Sequence, residues 1–371
     1  MIHFAEAVLP GHPDKFCDRI ADAIVAEALA ADPYAFAQIE VGVWSDEAWL
    51  SGNIVTRKPM ARSPSEILVQ AGLSIGLDSG NRVDATRYRI TDTVCRNIDD
   101  PTEGRTICDD QSIVVGYAGY DVLTRFLPPE HFLVHYLAGH LWLRCREGLL
   151  KDCGPDGKVL ITMREEGSVW TLETVLVTLQ HPEGLGLMDL TRGIHLSLKE
   201  AYSRLRALDR RWTMDWTGVE VLVNPNGPHV RGGSDGDNGQ TGRKLVMDYY
   251  GPRVPLGGGA LAGKHPAHID RLAAKAARQA AVHAVQTGAR DCTIRLAYAP
   301  NRNVPIQEVW EVGGQGARQA KGHFDFDRML GRMESGLPEC DRGAGIFAWD
   351  LPVHPMQRPI GPVPTKTGVT V

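Results

Sequence analysis

Residues 232–251 read GGSDGDNGQTGRKLVMDYYG, and residues 257–271 read GGGALAGKHPAHIDR. These two glycine-rich segments bring acidic and basic side chains close together in the sequence: Asp237, Arg243, Lys244, Lys264 and Asp270. Glycine lets the backbone approach a ligand, because it has no Cβ and tolerates positive φ. Lysine and arginine donate charge-assisted hydrogen bonds to phosphate, and aspartate can hold the accompanying magnesium. The pattern predicts a polyphosphate site, and therefore an enzyme that acts on a nucleotide.

The composition is typical of a soluble protein with two or three domains. The chain has 371 residues, of which 43% are apolar and 23% charged. Its net charge of −5 gives no reason to expect a nucleic acid as a partner. The 7 cysteines are odd in number and never form Cys-x-x-Cys, which favours reduced thiols over a zinc ribbon or disulfides. No signal peptide or long apolar run is found in the sequence, so we expect a cytoplasmic protein without membrane contact.

Periodicity and helix-start signals predict a mixture of helices and strands. The expected helices are 13–31, 128–146 and 266–287, and the expected strands are 37–43, 49–56, 159–164 and 172–180. We expect a mobile surface loop from Arg96 to Asp110 and an irregular, proline-rich tail beyond about residue 336. Because the elements intermingle without strict alternation, the sequence predicts the α+β class.

Four motifs in the sequence are ambiguous when each is taken alone. GHPDK, with His12, Asp14 and Lys15, suits an anion at a helix N-terminus, but alone it fits a plain helix cap even better. GGALAGKH at 258–265 lacks the Ser or Thr of a P-loop, so we reject that motif and keep Lys264 as a phosphate contact. The histidines at 131, 135 and 140 favour packing over metal binding. The acidic pair 109–110 before an apolar run is uninformative by itself.

Taken together, the motifs are far more specific. GHPDK, DDQSIVVGYA, PDGK, GDNGQTGRK and GGGALAGK-x-x-x-x-IDR, in this order from about residue 4 to about residue 300, resemble the S-adenosylmethionine synthetases. The resemblance implies three related α+β domains, for which we expect boundaries at 1–100, 106–230 and 231–371. It also implies a homodimer or homotetramer with active sites between subunits. In the implied reaction, the methionine sulfur attacks C5′ of ATP, and the displaced triphosphate is hydrolysed to pyrophosphate and phosphate.

The resemblance also assigns roles to individual residues. Magnesium would be bound by Asp14 and Asp270, and potassium by Glu40. His12 would assist departure of the triphosphate, and Asp110 would lie near the forming sulfonium; Lys158 and Arg243 complete the implied catalytic set. Contacts to ATP and its triphosphate would come from His12, Asp156, Lys158, Asp237, Arg243, Lys244, Ala260 and Lys264. Contacts to the acceptor would come from Asn53, Asn97, Asp110, Asp237 and His268.

The departures from the family pattern fall on the acceptor side. Asn53 replaces a glutamate that holds the methionine ammonium, Asn97 replaces a glutamine, and His268 replaces the lysine that meets the methionine carboxylate. An Arg-Phe pair beside the adenosine becomes Pro228-His229. Losing an ion pair in a partly buried pocket costs about 2–4 kcal/mol.

Three interpretations therefore stay open. The chain is a divergent methionine adenosyltransferase, an enzyme that adenosylates a different nucleophile, or a catalytically silent homologue that binds nucleotide and regulates a partner. For a nucleophile that must lose a proton, His268 or His229 is the candidate base. The charged residues that match the family pattern favour an active enzyme over a catalytically silent homologue.

Overall fold

The computed structural model describes residues 1–80, 83–102, 106–150 and 152–335, and its mixture of helices and sheets confirms the α+β class. The helices in these ranges are α1 (Pro13–Ala31), α2 (Pro64–Ile75), α3 (Pro129–Arg146), α4 (Leu187–Leu208), α5 (Leu245–Asp248), α6 (Ile269–Gln286) and α7 (Phe326–Glu334). The strands are β1 (Ile2–Val8), β2 (Phe36–Trp44), β3 (Glu47–Thr56), β4 (Arg89–Asp92), β5 (Cys95–Ile98), β6 (Ser112–Gly119), β7 (Gly157–Glu166), β8 (Val169–Leu179), β9 (Glu220–Val223), β10 (Gly239–Gln240), β11 (Ala289–Tyr298) and β12 (Gln307–Gly314).

The strands form three sheets. The first has the order β1-β7-β8-β9, the second β10-β2-β3-β4 with β5 also beside β3, and the third β12-β11-β6. The pairs β3–β4, β3–β5 and β8–β9 are parallel, and the other pairs are antiparallel. Each sheet takes strands from two of the three expected domain segments. The boundaries of those domains stay a prediction.

Helix α1 covers the second sheet. Phe16, Ile20, Ile24 and Ala28 recur every fourth residue, so they share one face of the helix, and all four are buried in the core beneath α1 and α2. Pro13 suits the first helical turn, because its missing N–H would have no partner there. The predicted range of this helix is confirmed.

Helix α6 packs against β6 and β11 of the third sheet. Its many alanines let the helix axis come close to the strands, and Gly116 of β6 allows the closest approach. A Cβ on Gly116 would lie 2.2 Å from the backbone of Ala277. The tight packing fixes the N-terminus of α6, which carries Asp270.

Two boundaries predicted from the sequence are wrong. The loop expected from Arg96 begins later, because Arg96 to Ile98 belong to β5, whose backbone pairs with β3. Helix α6 begins at Ile269 and not at Pro266, because the side chain of His268 caps it. Residues 103–105 of the expected loop and the expected tail from 336 lie outside the described residues. In the described ranges, no helix is long and apolar enough to cross a membrane.

His131 and His135 of α3 have the packing role expected from their apolar neighbours. Their rings contact each other edge to face, with centroids 4.6 Å apart, and lie against the backbone of Met247 and Tyr249. Burial lowers the pKa of His131 well below its ordinary value and that of His135 to about 3. Both rings are therefore neutral at pH 7, and they support the segment that follows Lys244.

These histidines predict an acid-sensitive fold. The unfolded chain takes up protons at both rings below pH 6.5, whereas the folded protein does not, so stability falls as the pH decreases from 6.5 towards 4. Each histidine contributes about 1.4 kcal/mol per pH unit to this loss. Chemical unfolding at several pH values measures the slope. In His135→Leu the contribution of these two rings to the slope should fall by half, and an unchanged slope would contradict this account.

Candidate active site

The N-terminus of α1 holds His12 and Asp14 in a fixed geometry. His12 is the N-cap residue, and its Nδ1 accepts the backbone N–H of Asp14 at 3.2 Å. Because Nδ1 accepts a hydrogen bond, the neutral ring carries its proton on Nε2. Burial lowers the pKa of His12, and Lys244 lowers it further, whereas Asp156 and Asp14 act in the opposite direction. His12 is thus a neutral hydrogen-bond donor at pH 7.

Three aspartates on one face of α1 bind the two glycine-rich segments. Because they are spaced by four residues, they lie one above the other along the helix. Each carboxylate accepts a backbone N–H at 2.9 Å: Asp14 from Gln240, Asp18 from Gly242, and Asp22 from Gly263. Lys15 lies beside this row and donates to Asp18 at 2.8 Å and to Asp248 at 2.7 Å. Helix α1 therefore positions both segments.

The first segment and β7 bring several predicted residues together around His12. Lys244 donates to Oδ2 of Asp14, and Nε of Arg243 lies 3.7 Å from Oδ1 of the same carboxylate. Burial alone would raise the pKa of Asp14, but its hydrogen bonds from Lys244 and Gln240 outweigh burial and lower it. We call the following set the His12 group: His12, Asp14, Asp156, Lys158, Arg243 and Lys244.

Asp156 and Lys158 reach this group from the start of β7. The Oδ2 of Asp156 accepts the N–H of Gly233 at 2.7 Å, which joins β7 to the first glycine-rich segment. Lys158 forms an ion pair of 2.7 Å with Glu6. In the register of β1 and β7, Val8 is opposite Lys158, so Glu6 is its diagonal neighbour on the same face. Sequence reasoning missed Glu6, because β1 itself was not predicted.

An open cavity of about 670 Å³ adjoins the His12 group. Arg243 and Lys244 supply its positive charge, and Phe4, Leu160 and Leu256 contribute apolar walls. Asp237 lies on the exposed part of the same segment, where its carboxylate accepts the N–H of Asn238 at 2.8 Å. This combination of cations and apolar surface suits a nucleotide with an extended phosphate chain.

A second set of predicted residues lies at the N-terminus of α6. Lys264 donates to Oδ2 of Asp270, and the hydroxyl of Ser112 donates to Oδ1 at 2.5 Å. Glu40 of β2 is near enough to Lys264 for their charges to interact, although burial raises the pKa of Glu40. We call the following set the Asp270 group: Glu40, Ala260, Lys264, His268 and Asp270. Ser112 was not predicted, since only the fold shows that β6 starts beside Asp270.

The two groups occupy different places on the chain. The His12 group surrounds Asp14 at the first turn of α1, whereas the segment carrying Lys264 is bound by Asp22. Asp14 and Asp22 are two turns apart, about 12 Å along the helix axis. The segments themselves meet at Gly242, where a Cβ would lie 2.9 Å from that of Ala260. One chain therefore presents two partial sites side by side.

The predicted acceptor residues are spread over a wider area. Asn53 of β3 is opposite Gln38 of β2, whose other neighbour is Lys264, so Asn53 lies on the side of the Asp270 group. Its Oδ1 is buried and has no hydrogen-bond partner among the residues that the structure describes. Asn97 of β5 and Asp110 before β6 are exposed. His229, from the altered pair 228–229, has its Nε2 at 3.7 Å from Asp156, on the other side.

The carboxylates fit the implied magnesium ions in their chemistry. Magnesium commonly uses one or two protein carboxylates and takes its other ligands from phosphates and water. Asp14 and Asp270 provide one such carboxylate in each group, while the described residues contain no cluster of three or more His, Cys, Asp or Glu suited to a metal. Glu40 offers a single carboxylate for potassium; the residue is exposed to solvent, although neighbouring atoms desolvate its carboxylate in part.

A site with cations on glycine-rich segments and single magnesium-type carboxylates is typical of enzymes that process polyphosphates. Comparison with known proteins identifies which such enzymes this chain resembles. Residues 1–97 match the N-terminal domain of S-adenosylmethionine synthetase, and residues 231–322 match its C-terminal domain.

Curated relatives cover most of the chain. S-adenosylmethionine synthase 1 of Rhodospirillum rubrum is 36% identical over 94% of this chain and 88% of its own length. S-adenosylmethionine synthase 1 of Rhodopseudomonas palustris is 35% identical over 80% of this chain and 76% of its own length. The S-adenosylmethionine synthase of Mycobacterium ulcerans is 31% identical over 84% and 82%, respectively. The chain is therefore an enzyme that belongs to the S-adenosylmethionine synthetase family.

Proposed function

We propose that the protein transfers the adenosyl group of ATP to the sulfur of L-methionine and releases S-adenosylmethionine, pyrophosphate and phosphate. The observation that carries the proposal is the His12 group, in which two cations, Arg243 and Lys244, and a neutral histidine donor lie around the carboxylate of Asp14 beside a cavity. Family membership supports the same reaction. The triphosphate leaves with a growing negative charge, and fixed cations already aimed at it stabilise that charge without reorganisation.

The residues of the chain take separate roles in this proposal. Lys158, Arg243 and Lys244 bind the triphosphate together with Asp156, and Nε2–H of His12 donates to the oxygen that leaves C5′. Magnesium, when bound at Asp14 and Asp270, neutralises phosphate charge. Asp110 and Asp237 bind the acceptor, and Asp110 favours the positive sulfonium electrostatically. A thioether sulfur carries no proton, so the reaction needs no general base, and the chain's main task is to hold sulfur in line with C5′.

We infer further that a complete site needs two chains, and we propose a homo-oligomer. The aspartates that hold the two segments, Asp14 and Asp22, are about 12 Å apart along the axis of α1, so the two groups are held at different turns of this helix. A triphosphate bound by the His12 group of one chain would also contact the Asp270 group of the other chain. This arrangement also gives Lys264 a phosphate to bind in exchange for its contact with Asp270.

A second candidate function is adenosyl transfer to a different nucleophile. The neutral Asn53 favours it, because its buried Oδ1 provides no charge for an ammonium group. His268 is a poor base for such a nucleophile, since its Nδ1 already accepts the N–H of Asp270 at 3.1 Å. His229 remains the candidate base for an acceptor that must lose a proton.

The proposed reaction is tested by incubating the protein with ATP, Mg²⁺ and K⁺, with and without L-methionine, and identifying products by mass spectrometry. We expect S-adenosylmethionine only when methionine is present. Lys158→Ala should lower kcat by about 100-fold, and its partly exposed ion pair with Glu6 gives no reason for misfolding. Arg290→Ala, which removes an exposed cation at the end of β11 away from Ser112, is the matched control. Turnover of ATP without formation of S-adenosylmethionine would support another acceptor. No turnover of ATP at all would support a catalytically silent homologue.

The shared site is tested by complementation between two inactive variants. Lys244→Ala damages the His12 group and Lys264→Ala the Asp270 group, so each variant alone should lose most activity. When the differently tagged variants are co-expressed, a mixed dimer contains one doubly damaged site and one intact site. Random pairing then restores about a quarter of the wild-type activity. A mixture no more active than the variants alone would place both groups in one site within one chain.

A further inference from the structure

Helices α1 and α6 begin with the same N-terminal cap, which we call the His-x-Asp cap. His12-Pro13-Asp14 begins one helix and His268-Ile269-Asp270 the other, with the histidine as the N-cap residue in both. His12 has φ −58° and ψ 134°, and His268 has φ −60° and ψ 136°. In both cases Nδ1 of the histidine accepts the N–H of the aspartate, at 3.2 Å in α1 and at 3.1 Å in α6.

The likeness extends to what each aspartate contacts. Asp14 accepts a hydrogen bond from Lys244, and Asp270 accepts one from Lys264, so each carboxylate holds a lysine of a glycine-rich segment. A further donor completes each set: the Gln240 amide for Asp14 and the Ser112 hydroxyl for Asp270. Each carboxylate thus accepts hydrogen bonds from two donors, while the capping histidine accepts the backbone N–H of the same aspartate and so fixes its backbone.

A glycine packs against each His-x-Asp cap at a position where a side chain would not fit. A Cβ on Gly239 would lie 2.4 Å from the backbone of Pro13, and a Cβ on Gly259 would lie 2.5 Å from the carboxyl group of Asp270. Any other residue at these positions would displace backbone or carboxylate. The close approach shows that the position of Asp270 is fixed by packing on one side and by its cap on the other.

The cap leaves His268 unsuited to binding an acceptor carboxylate. Its side chain is only 1% exposed. A buried ring whose Nδ1 already accepts a backbone N–H has no free surface for an acceptor carboxylate, in contrast to the lysine that the family pattern has at this position.

We propose that His268 is a positioning residue that holds Asp270 in its magnesium-binding orientation, and that it does not contact the carboxylate of the acceptor. The proposal rests on the function proposed above for Asp270. Its consequence for specificity is that residue 268 does not distinguish a free amino acid from an uncharged derivative. Replacing L-methionine by L-methioninamide should therefore lower the activity of the wild type less than it lowers the activity of His268→Lys.

Three substitutions separate the two roles. His268→Asn keeps a cap, because the Asn side-chain oxygen accepts an N–H and Asn is among the best N-cap residues. His268→Ala removes the cap, and His268→Lys removes it as well, because an ammonium group has no acceptor. The lysine variant also restores the charge that would bind an acceptor carboxylate. The three variants are compared with the wild-type protein in its native oligomer.

The first two measurements do not depend on turnover. Thermal unfolding without metal should show Tm lowered by about 2 °C or more in the Ala variant, lowered further in the Lys variant because its ammonium group is buried, and lowered least in the Asn variant, which keeps the cap. Titration calorimetry of tripolyphosphate at several Mg²⁺ concentrations gives the Mg²⁺ requirement, which is the Mg²⁺ concentration that supports half-maximal binding. This requirement should be about tenfold higher in the Ala and Lys variants than in the wild type, and the Asn variant should have the wild-type value. A merely structural cap would lower Tm without changing this Mg²⁺ requirement.

The third measurement is the KM for L-methionine, which we expect to be the same within about threefold in the Lys variant and the wild type. A KM lowered tenfold or more in His268→Lys, with Tm and Mg²⁺ requirement unchanged, would overturn the proposal and make position 268 an acceptor contact. Failure of Asn to rescue the Mg²⁺ requirement would overturn it too. If the wild type forms no adenosyl product, the proposed function fails, but unfolding and tripolyphosphate binding still decide the role of His268.

Discussion

The row of aspartates on α1 is the interaction on which both halves of the site depend. Asp14, Asp18 and Asp22 accept backbone N–H groups from two segments more than two hundred residues away in the chain. Buried carboxylates are costly without partners, and here amide N–H groups, Lys15 and Lys244 provide them. Because glycine-rich segments have little preferred conformation of their own, this row determines where Lys244 and Lys264 lie.

The glycines illustrate how much of the site can be predicted from the sequence. Their abundance predicted close approach to a ligand, and at several positions the close approach is to the protein itself. A Cβ on Gly239 would strike Pro13, and one on Gly263 would lie 2.1 Å from the carbonyl oxygen of Ile39. Helix α1 and strands β2, β3, β7 and β8 were predictable, because local periodicity and capping signals report them. Glu6, Asp18, Asp22 and Ser112 were not singled out, because their partners are distant in sequence and only the fold brings them together.

The residues proposed to bind the triphosphate and those proposed to bind the acceptor differ in charge and in how they are held. The cations and aspartates that would bind the triphosphate are held by many buried contacts, whereas the altered acceptor positions carry little charge. Asn53 is neutral and His268 is used in a helix cap. In the proposed function, the residues that bind the leaving group are therefore held by many contacts, while the altered positions on the acceptor side carry little charge.

Hydrogen exchange followed by mass spectrometry at single-residue resolution tests the central role of α1 most directly. The amides of Gln240, Gly242 and Gly263 should exchange slowly, unlike that of Gly258, whose Cβ position has no neighbouring atom within 4 Å. In Asp22→Ala, the Gly263 amide should exchange faster while the Gly242 amide, held by Asp18, stays protected. Fast exchange of all three amides in the wild-type protein would contradict the account, because α1 would then not position the segments that carry the site.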